Sequence, residues 1–370
     1  MKRRRLLMGV VTGVAAVAMV EVMRPRGPAR PLIDWDGVRV RARARFGDEA
    51  EMTAGEAQAL ATKYNAMAGE LRQPLLDLVG DLPPGAAFPP FVALDRLAWV
   101  DLNVDIMRRV MEPLLEANVA PASLLLNAGR TSLEAYVGML LGFLARRVLG
   151  QFDPHLLGRE ALAGELLSTG LYLVEPNIAE FEAEAELPAD DLRRWLILHE
   201  MTHAWQFSAH PWLQGHINGL LAEVLALAGN GQHSPLQRAL TMTFGLPAQV
   251  AVMRRMQATM SLVEGYGNLA MNRVGRELLP SFDQMRLAHE RRAARRTPLE
   301  MLFWRITGLE MKLQQYTRGE RFCQAVVDAH GIDALNLAWQ SAETLPTLAE
   351  LDHPETWYAR VSAGAAPPPD

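Results

Sequence analysis

Only one cysteine, Cys323, occurs among the 370 residues. A single thiol excludes an intrachain disulfide and any zinc site made of several thiolates, so a metal centre here has to be built from histidine and carboxylate. Positive charge is not in excess either. Lys+Arg 37 against Asp+Glu 42 give a net charge of -5 and a pI near 6.0, which argues against a nucleic-acid binder. With Gly 28 and Pro 23 the chain is neither collagen-like nor of low complexity. What remains, 49% hydrophobic and 21% charged residues, is the composition of a folded chain rather than a disordered one.

The N-terminus stands apart. Lys2, Arg3, Arg4 and Arg5 precede an apolar run from Leu6 to Val20, and Arg24-Pro25-Arg26-Gly27-Pro28-Ala29-Arg30-Pro31 follows as a solvated linker. The pattern fits a signal peptide, with Ala16-Val17-Ala18 resembling a cleavage site. It also fits an uncleaved anchor over Leu6–Met23, near the lower length limit for spanning a bilayer. The expectation is a membrane-associated protein tethered through residues 6–23, with cleaved export and a cytoplasmic location as alternatives. Cations on both sides of the run bias the orientation only weakly. Three regions follow from this: residues 1–31 as apolar segment and linker, 32–362 as one catalytic domain, and 363–370, rich in Ala and Pro, as a frayed tail.

From Leu32 onward apolar residues recur at three- and four-residue spacing, which predicts a mainly α-helical domain. Expected helices cover Ala57–Val79 (with Pro74 inside), Arg96–Leu115, Ser132–Val148, Trp212–Ala228, Ser234–Phe244, Pro247–Arg276 and Ser281–Arg296. Two more are expected over Pro298–Gln315 and Arg318–His330. Ser132–Val148 reads as a central core helix with Arg146 and Arg147 near its negative end. Leu171–Val174, β-prone and followed by Pro176, is the best strand candidate. Asp190 and Asp191 are placed to cap a helix running to about Phe207.

Inside that last helix lies His199-Glu200-Met201-Thr202-His203, an H-E-x-x-H motif. Residues four apart share one helix face, so His199 and His203 can reach one metal ion. Glu200 projects beside them, where a carboxylate can act as general base on a water activated by Zn²⁺. No Gly or Pro interrupts Arg193 to Phe207, so the helical context that the motif needs is present. A third ligand is required. The long pattern with Gly and His further along fails, because Gln206 and Ala209 stand at those places and His210 is one residue off. A glutamate from a second helix remains, and two qualify. Glu223 follows His203 by a spacing found in thermolysin-like enzymes. Glu264 sits in the apolar stretch Met260-Ser261-Leu262-Val263-Glu264-Gly265-Tyr266-Gly267, where a carboxylate is costly unless paired or metal-bound. Gly265 and Gly267 would admit another backbone or a substrate closely.

The stretch from His199 to Phe207, then Pro211-Trp212-Leu213, then Met260 to Gly265, resembles the zincin-like metallopeptidase type 2 family. Asp34-Trp35-Asp36, Asp95 to Val100, Leu141 to Leu144, Arg147 to Asp153 and Gly308 to Tyr316 are similar to it in the same order. The resemblance implies a helix-rich zincin-like fold with a small β element beside the H-E-x-x-H helix. It also implies a zinc hydrolase with no established substrate, and supports Glu264 as the third metal ligand beside His199 and His203. The leading expectation is a peptidase acting on a peptide or protein with Glu200 as general base; the alternative is a non-catalytic, zinc-stabilised binding or scaffold protein tethered to a membrane. Family members are often associated with coenzyme F420 biosynthesis, but no flavin-like cofactor site is legible here. Tyr266 and Asn272 depart from the family's usual His and Asp, which questions any ligand-supporting role for those two positions.

Several other residues carry weaker signals. Asn177 is either a turn residue or part of the cleft, and Tyr266 is a packed tyrosine before it is an oxyanion donor. His216 and His233 read as loop or surface residues. Arg291, Arg292, Arg295 and Arg296 read as a solvated helix face, with anionic lipid as the sharper alternative, and Cys323 reads as inert core.

Overall fold

The computed structural model of the protein describes residues 33–116, 128–154, 170–228, 246–294 and 309–364. These are mainly α-helical with one small sheet, as the periodicity predicts. The segment 6–23, the helix expected over 234–244, His233, Arg295, Arg296 and the last residues of the tail lie outside them. Among the described residues no helix is long and apolar enough to cross a membrane.

In chain order the elements are α1 (Trp35–Arg43), α2 (Ala54–Val79), β1 (Phe91–Leu94), α3 (Arg96–Glu116), α4 (Ala128–Leu144), β2 (Gly150–Asp153) and β3 (Gly170–Val174). Then follow α5 (Glu175–Ala185), α6 (Ala189–Ala209), α7 (Pro211–Ala228), α8 (Leu246–Leu278), α9 (Phe282–Ala294), α10 (Leu309–His330), α11 (Ile332–Asn336) and α12 (Pro354–Ser362). Helix starts are set by local chemistry. Asp34 accepts from the Gly37 N–H at 2.9 Å, and Thr53 with Glu56 forms a reciprocal capping box at the start of α2. At α6 the cap is different from that expected. Pro188 occupies the N-cap with no side-chain bond, and the two aspartates sit in the first turn instead. Asp190 pairs with Lys63, and Asp191 accepts from the Ser281 N–H.

The sheet order is β1-β3-β2, with β1 parallel and β2 antiparallel to the central strand. All five residues of β3 are buried, and it is the strand that the sequence predicts. Its neighbours are four residues each, too short to show alternation against their surroundings.

Two apolar cores result. The larger surrounds α6: Trp195, Leu198, Met201 and Trp205 meet Leu262, Tyr266 and Leu269 of α8, Leu71 and Leu75 of α2, and Phe322 and Cys323 of α10. The smaller joins α1, α3 and α4 through Trp35, Val38, Val100, Val104, Val137 and Leu141. Helix α4 therefore belongs to the smaller core and is not the central helix expected from its apolarity. It also stops at Leu144, before Arg146 and Arg147. Arg147 nonetheless serves the helix end, donating to the Phe143 carbonyl at 3.2 Å. Helix α10 continues through Thr317 where two helices were expected, since nothing in Gln315–Arg318 breaks the backbone.

Helices α8 and α10 cross at glycines. A Cβ on Gly265 would run into the Gly319 backbone, and one on Gly319 into the Ser261 carbonyl oxygen. Alanine normally stabilises a helix over glycine by roughly 0.5–1 kcal/mol. Here the sign is expected to reverse, because backbone cannot yield as a side-chain end can. Gly319→Ala should destabilise the fold by at least the ~1–3 kcal/mol typical of overpacking. Thermal unfolding checks it: a Tm equal to or above that of the wild type would rule out so close a crossing.

Candidate metal centre

Helix α6 is buried nearly all round, and its two histidines face another helix, His203 buried and His199 only partly so. One turn apart, their rings bring Nε2 of His199 and Nε2 of His203 to 3.0 Å. From α8, Glu264 places Oε2 3.4 Å from His203 Nε2 and 3.7 Å from His199 Nε2. The three donor atoms lie within 4.8 Å of one another. Two imidazole nitrogens and a carboxylate oxygen converging on one point form a donor set that suits Zn²⁺. Gly267, one turn after Glu264, makes the approach possible: a Cβ there would stand 3.1 Å from His203 Cε1 and 3.2 Å from His199 Cε1.

The charges of the cluster are interdependent. Burial alone would raise the Glu264 carboxyl, but hydrogen bonds and charge from His199 and His203 hold it well below the ordinary carboxylate range. Burial would likewise lower His203, yet Glu264 outweighs it and raises the imidazole to about 9. Without a metal, then, a proton on His203 balances the carboxylate of Glu264. A dication can replace it, releasing that proton as it binds.

Glu200 does not join this group. It is buried on the side of α6 that faces β2, and burial pushes its carboxyl up, opposed by the charges of His199 and His203. Space for it is made by Gly150, the first residue of β2. A Cβ at that position would lie 2.5 Å from Glu200 Oε1 and 3.0 Å from its Cγ. Gly150→Ala is therefore expected to displace the carboxylate. A crystal structure of the variant checks this: a Glu200 carboxylate left in its wild-type position would show that the glycine is not required.

Gln206 closes the arrangement from behind. Its Oε1 lies 2.9 Å from His203 Nδ1, and its Nε2 donates to the Val263 carbonyl at 3.0 Å. Among the described residues no corresponding partner meets His199, whose buried Nδ1 has no hydrogen bond there.

The remaining sequence candidates separate clearly. Glu223 is exposed on α7 and pairs with Arg255, away from the histidine–glutamate group. His210 ends α6, stacked on Trp339, and burial takes it down to about 4. Tyr266 is fully buried and stacked on Trp205, and its hydroxyl donates to Asn336 Oδ1 at 2.7 Å, so it is core and not an oxyanion donor. Asn272 donates to Glu320. Asn177 is neither a turn nor a cleft residue. It lies buried in α5, donates to the Ala145 and Val148 carbonyls, and accepts from Arg96 Nε. His216 sits on helix α7, half-buried, beside Thr259 Oγ1 and not on a loop. Arg292 is not on a solvated face: its guanidinium lies over the Phe181 ring and burial lowers its pKa. Cys323 is fully buried, and burial pushes its thiol up.

Two features escaped the sequence reading. Gly150 was visible only as one residue of a familiar-looking stretch, and Gln206 only as a mismatch to a longer zinc pattern. Knowing that Gln206 follows His203 by three residues, on the same helix face, would have been the signal.

A profile of the zincin-like metallopeptidase family matches residues 33–358. A crystal structure from Chloroflexus aurantiacus, described provisionally as a hydrolase with a novel fold, is similar at 34% identity and a TM-score of 0.66. The match covers 89% of this chain and 99% of that one. No curated protein matches the chain. A family match running from the first described helix into the last, on a fold that gathers both histidines of the motif and Glu264 at one point, makes the chain a member of the zincin-like metallopeptidase family.

Proposed function

We propose that the protein is a zinc-dependent hydrolase that cleaves peptide bonds. The observation that carries this reading is the division of labour around α6: three donors converge on one side, while Glu200 stands apart from them against β2. A purely structural zinc site needs four closed ligands and has no use for a separate buried carboxylate.

His199, His203 and Glu264 hold the ion. Zn²⁺ bound there would supply Lewis acidity, polarising a carbonyl oxygen and acidifying water. Glu200 takes the proton of the attacking water and passes it to the departing amine nitrogen, so one carboxylate serves first as base and then as acid. Its raised pKa suits both halves of that cycle. The sheet supports a peptide as substrate. Strand β2 lies at the sheet edge and, among the described residues, pairs only with β3. An extended chain adding to its outer side would pass beside Glu200. In the same reading, the basic start and apolar run of residues 6–23 tether the domain to a membrane.

Incubating the zinc-loaded protein with a peptide library tests the activity. Cleavage should stop on chelation and return on adding zinc. Cleavage indifferent to chelator, or none with any peptide, would overturn the reading.

A further inference from the structure

We infer that Gln206 is a positioning residue of the metal centre, one that fixes the tautomer of His203 and ties the two ligand-bearing helices together. The inference rests on the proposed metal site and concerns what prepares it. Gln206 is completely buried, so each of its amide atoms must find a partner inside the protein.

Its orientation follows from what surrounds it. The Val263 carbonyl can only accept, so the amide nitrogen of Gln206 has to face it, as it does at 3.0 Å. That leaves Oε1 directed at His203 Nδ1, 2.9 Å away, and an amide oxygen can only accept. Nδ1 of His203 therefore carries the proton. In a neutral imidazole the lone pair then sits on Nε2, the atom that points at His199 Nε2 and Glu264 Oε2. One amide thus selects the metal-binding nitrogen.

The second bond has a separate consequence. Val263 immediately precedes Glu264, so Gln206 links the helix of the two histidines to the backbone beside the third ligand. Both bonds run between residues far apart in sequence or one turn apart on α6, and together they fix His203 relative to Glu264. Among the described residues His199 has no such support at its own Nδ1. The centre is asymmetric: His203 and Glu264 form a prearranged pair, and His199 completes it.

Zinc affinity, measured by competition with a chromophoric chelator, is the readout that a merely structural glutamine would not move. Gln206→Met keeps the length and removes both hydrogen bonds. It should bind zinc about 10–100-fold more weakly than the wild type, the usual effect of losing the partner of a ligand histidine. Gln206→Glu restores an acceptor for His203 but not a donor for Val263, and its affinity should lie above that of Gln206→Met. Equal zinc affinity for wild type and a folded Gln206→Met would overturn the inference. Absence of zinc binding in the wild type would instead overturn the metal site itself. Should Gln206→Met not fold, the wild type still decides the matter. Nitrogen-resolved NMR of the zinc-loaded protein should show His203 bound through Nε2 with a protected Nδ1–H, and binding through Nδ1 would refute the assignment.

Discussion

Glu264→Ala is expected to leave the protein without zinc at neutral pH, while Glu223→Ala retains it. Glu264 lies within ion-pairing distance of both histidines, at 3.4 and 3.7 Å, in a pocket where its carboxyl is held ionised. Its removal takes away one of three donors and also the charge that neutralises a dication in a buried place. The loss should exceed the roughly 10–100-fold typical for a residue that only supports a ligand. Glu223 is exposed and paired with Arg255, and an exposed pair of this kind contributes about 0–1 kcal/mol to stability and nothing to the centre. Competition titration with zinc distinguishes the two. A Glu223→Ala protein that lost zinc, beside a Glu264→Ala protein that kept it, would reverse the assignment.

The second large effect is chemical. Glu200→Gln should bind zinc like the wild type and lose hydrolysis by about 10²–10⁴-fold, the range of a positioned general base. The amide is close in shape to the carboxylate, so Gly150 can still accommodate it. It cannot take a proton from water near neutral pH. Zinc content and kcat measured on the same preparation separate the two properties. Wild-type turnover in Glu200→Gln would remove Glu200 from the chemistry, and loss of zinc would show that it helps to hold the ion.

Much of this centre could be read from the chain because its decisive spacing is local. His199, Glu200 and His203 need only a helix, and the uninterrupted run from Arg193 to Phe207 supplies one. Glu264 was a matter of environment: a carboxylate inside Leu262-Val263-Glu264-Gly265 has to be satisfied somehow, and here the partners are the two histidines. Most of the long helices were equally plain, because their apolar stripes repeat often enough to be counted, but α10 reads as two helices in the sequence and is one in the fold.

What was not legible depended on contacts between distant segments. Strands β1 and β2 have four residues each and acquire their identity only by pairing with β3. Gly150 gains its role from a helix fifty positions away, and Asn177 from carbonyls at the end of α4. The division into two cores was hidden for the same reason, since α4 is as apolar as a central helix yet packs on α1 and α3. Tyr266 shows the reverse. It stands two residues from Glu264, but helix geometry turns its ring onto Trp205 and away from the His199–His203–Glu264 cluster.

Zinc-edge anomalous diffraction from crystals of the zinc-loaded protein measures the site itself. One strong peak is expected, with His199 Nε2 and His203 Nε2 at about 2.0–2.1 Å and a Glu264 oxygen at about 2.0–2.2 Å, and with Glu200 outside bonding distance. A peak held by Glu223 or His210, or zinc closed off by four protein ligands, would contradict the hydrolytic centre proposed for this chain.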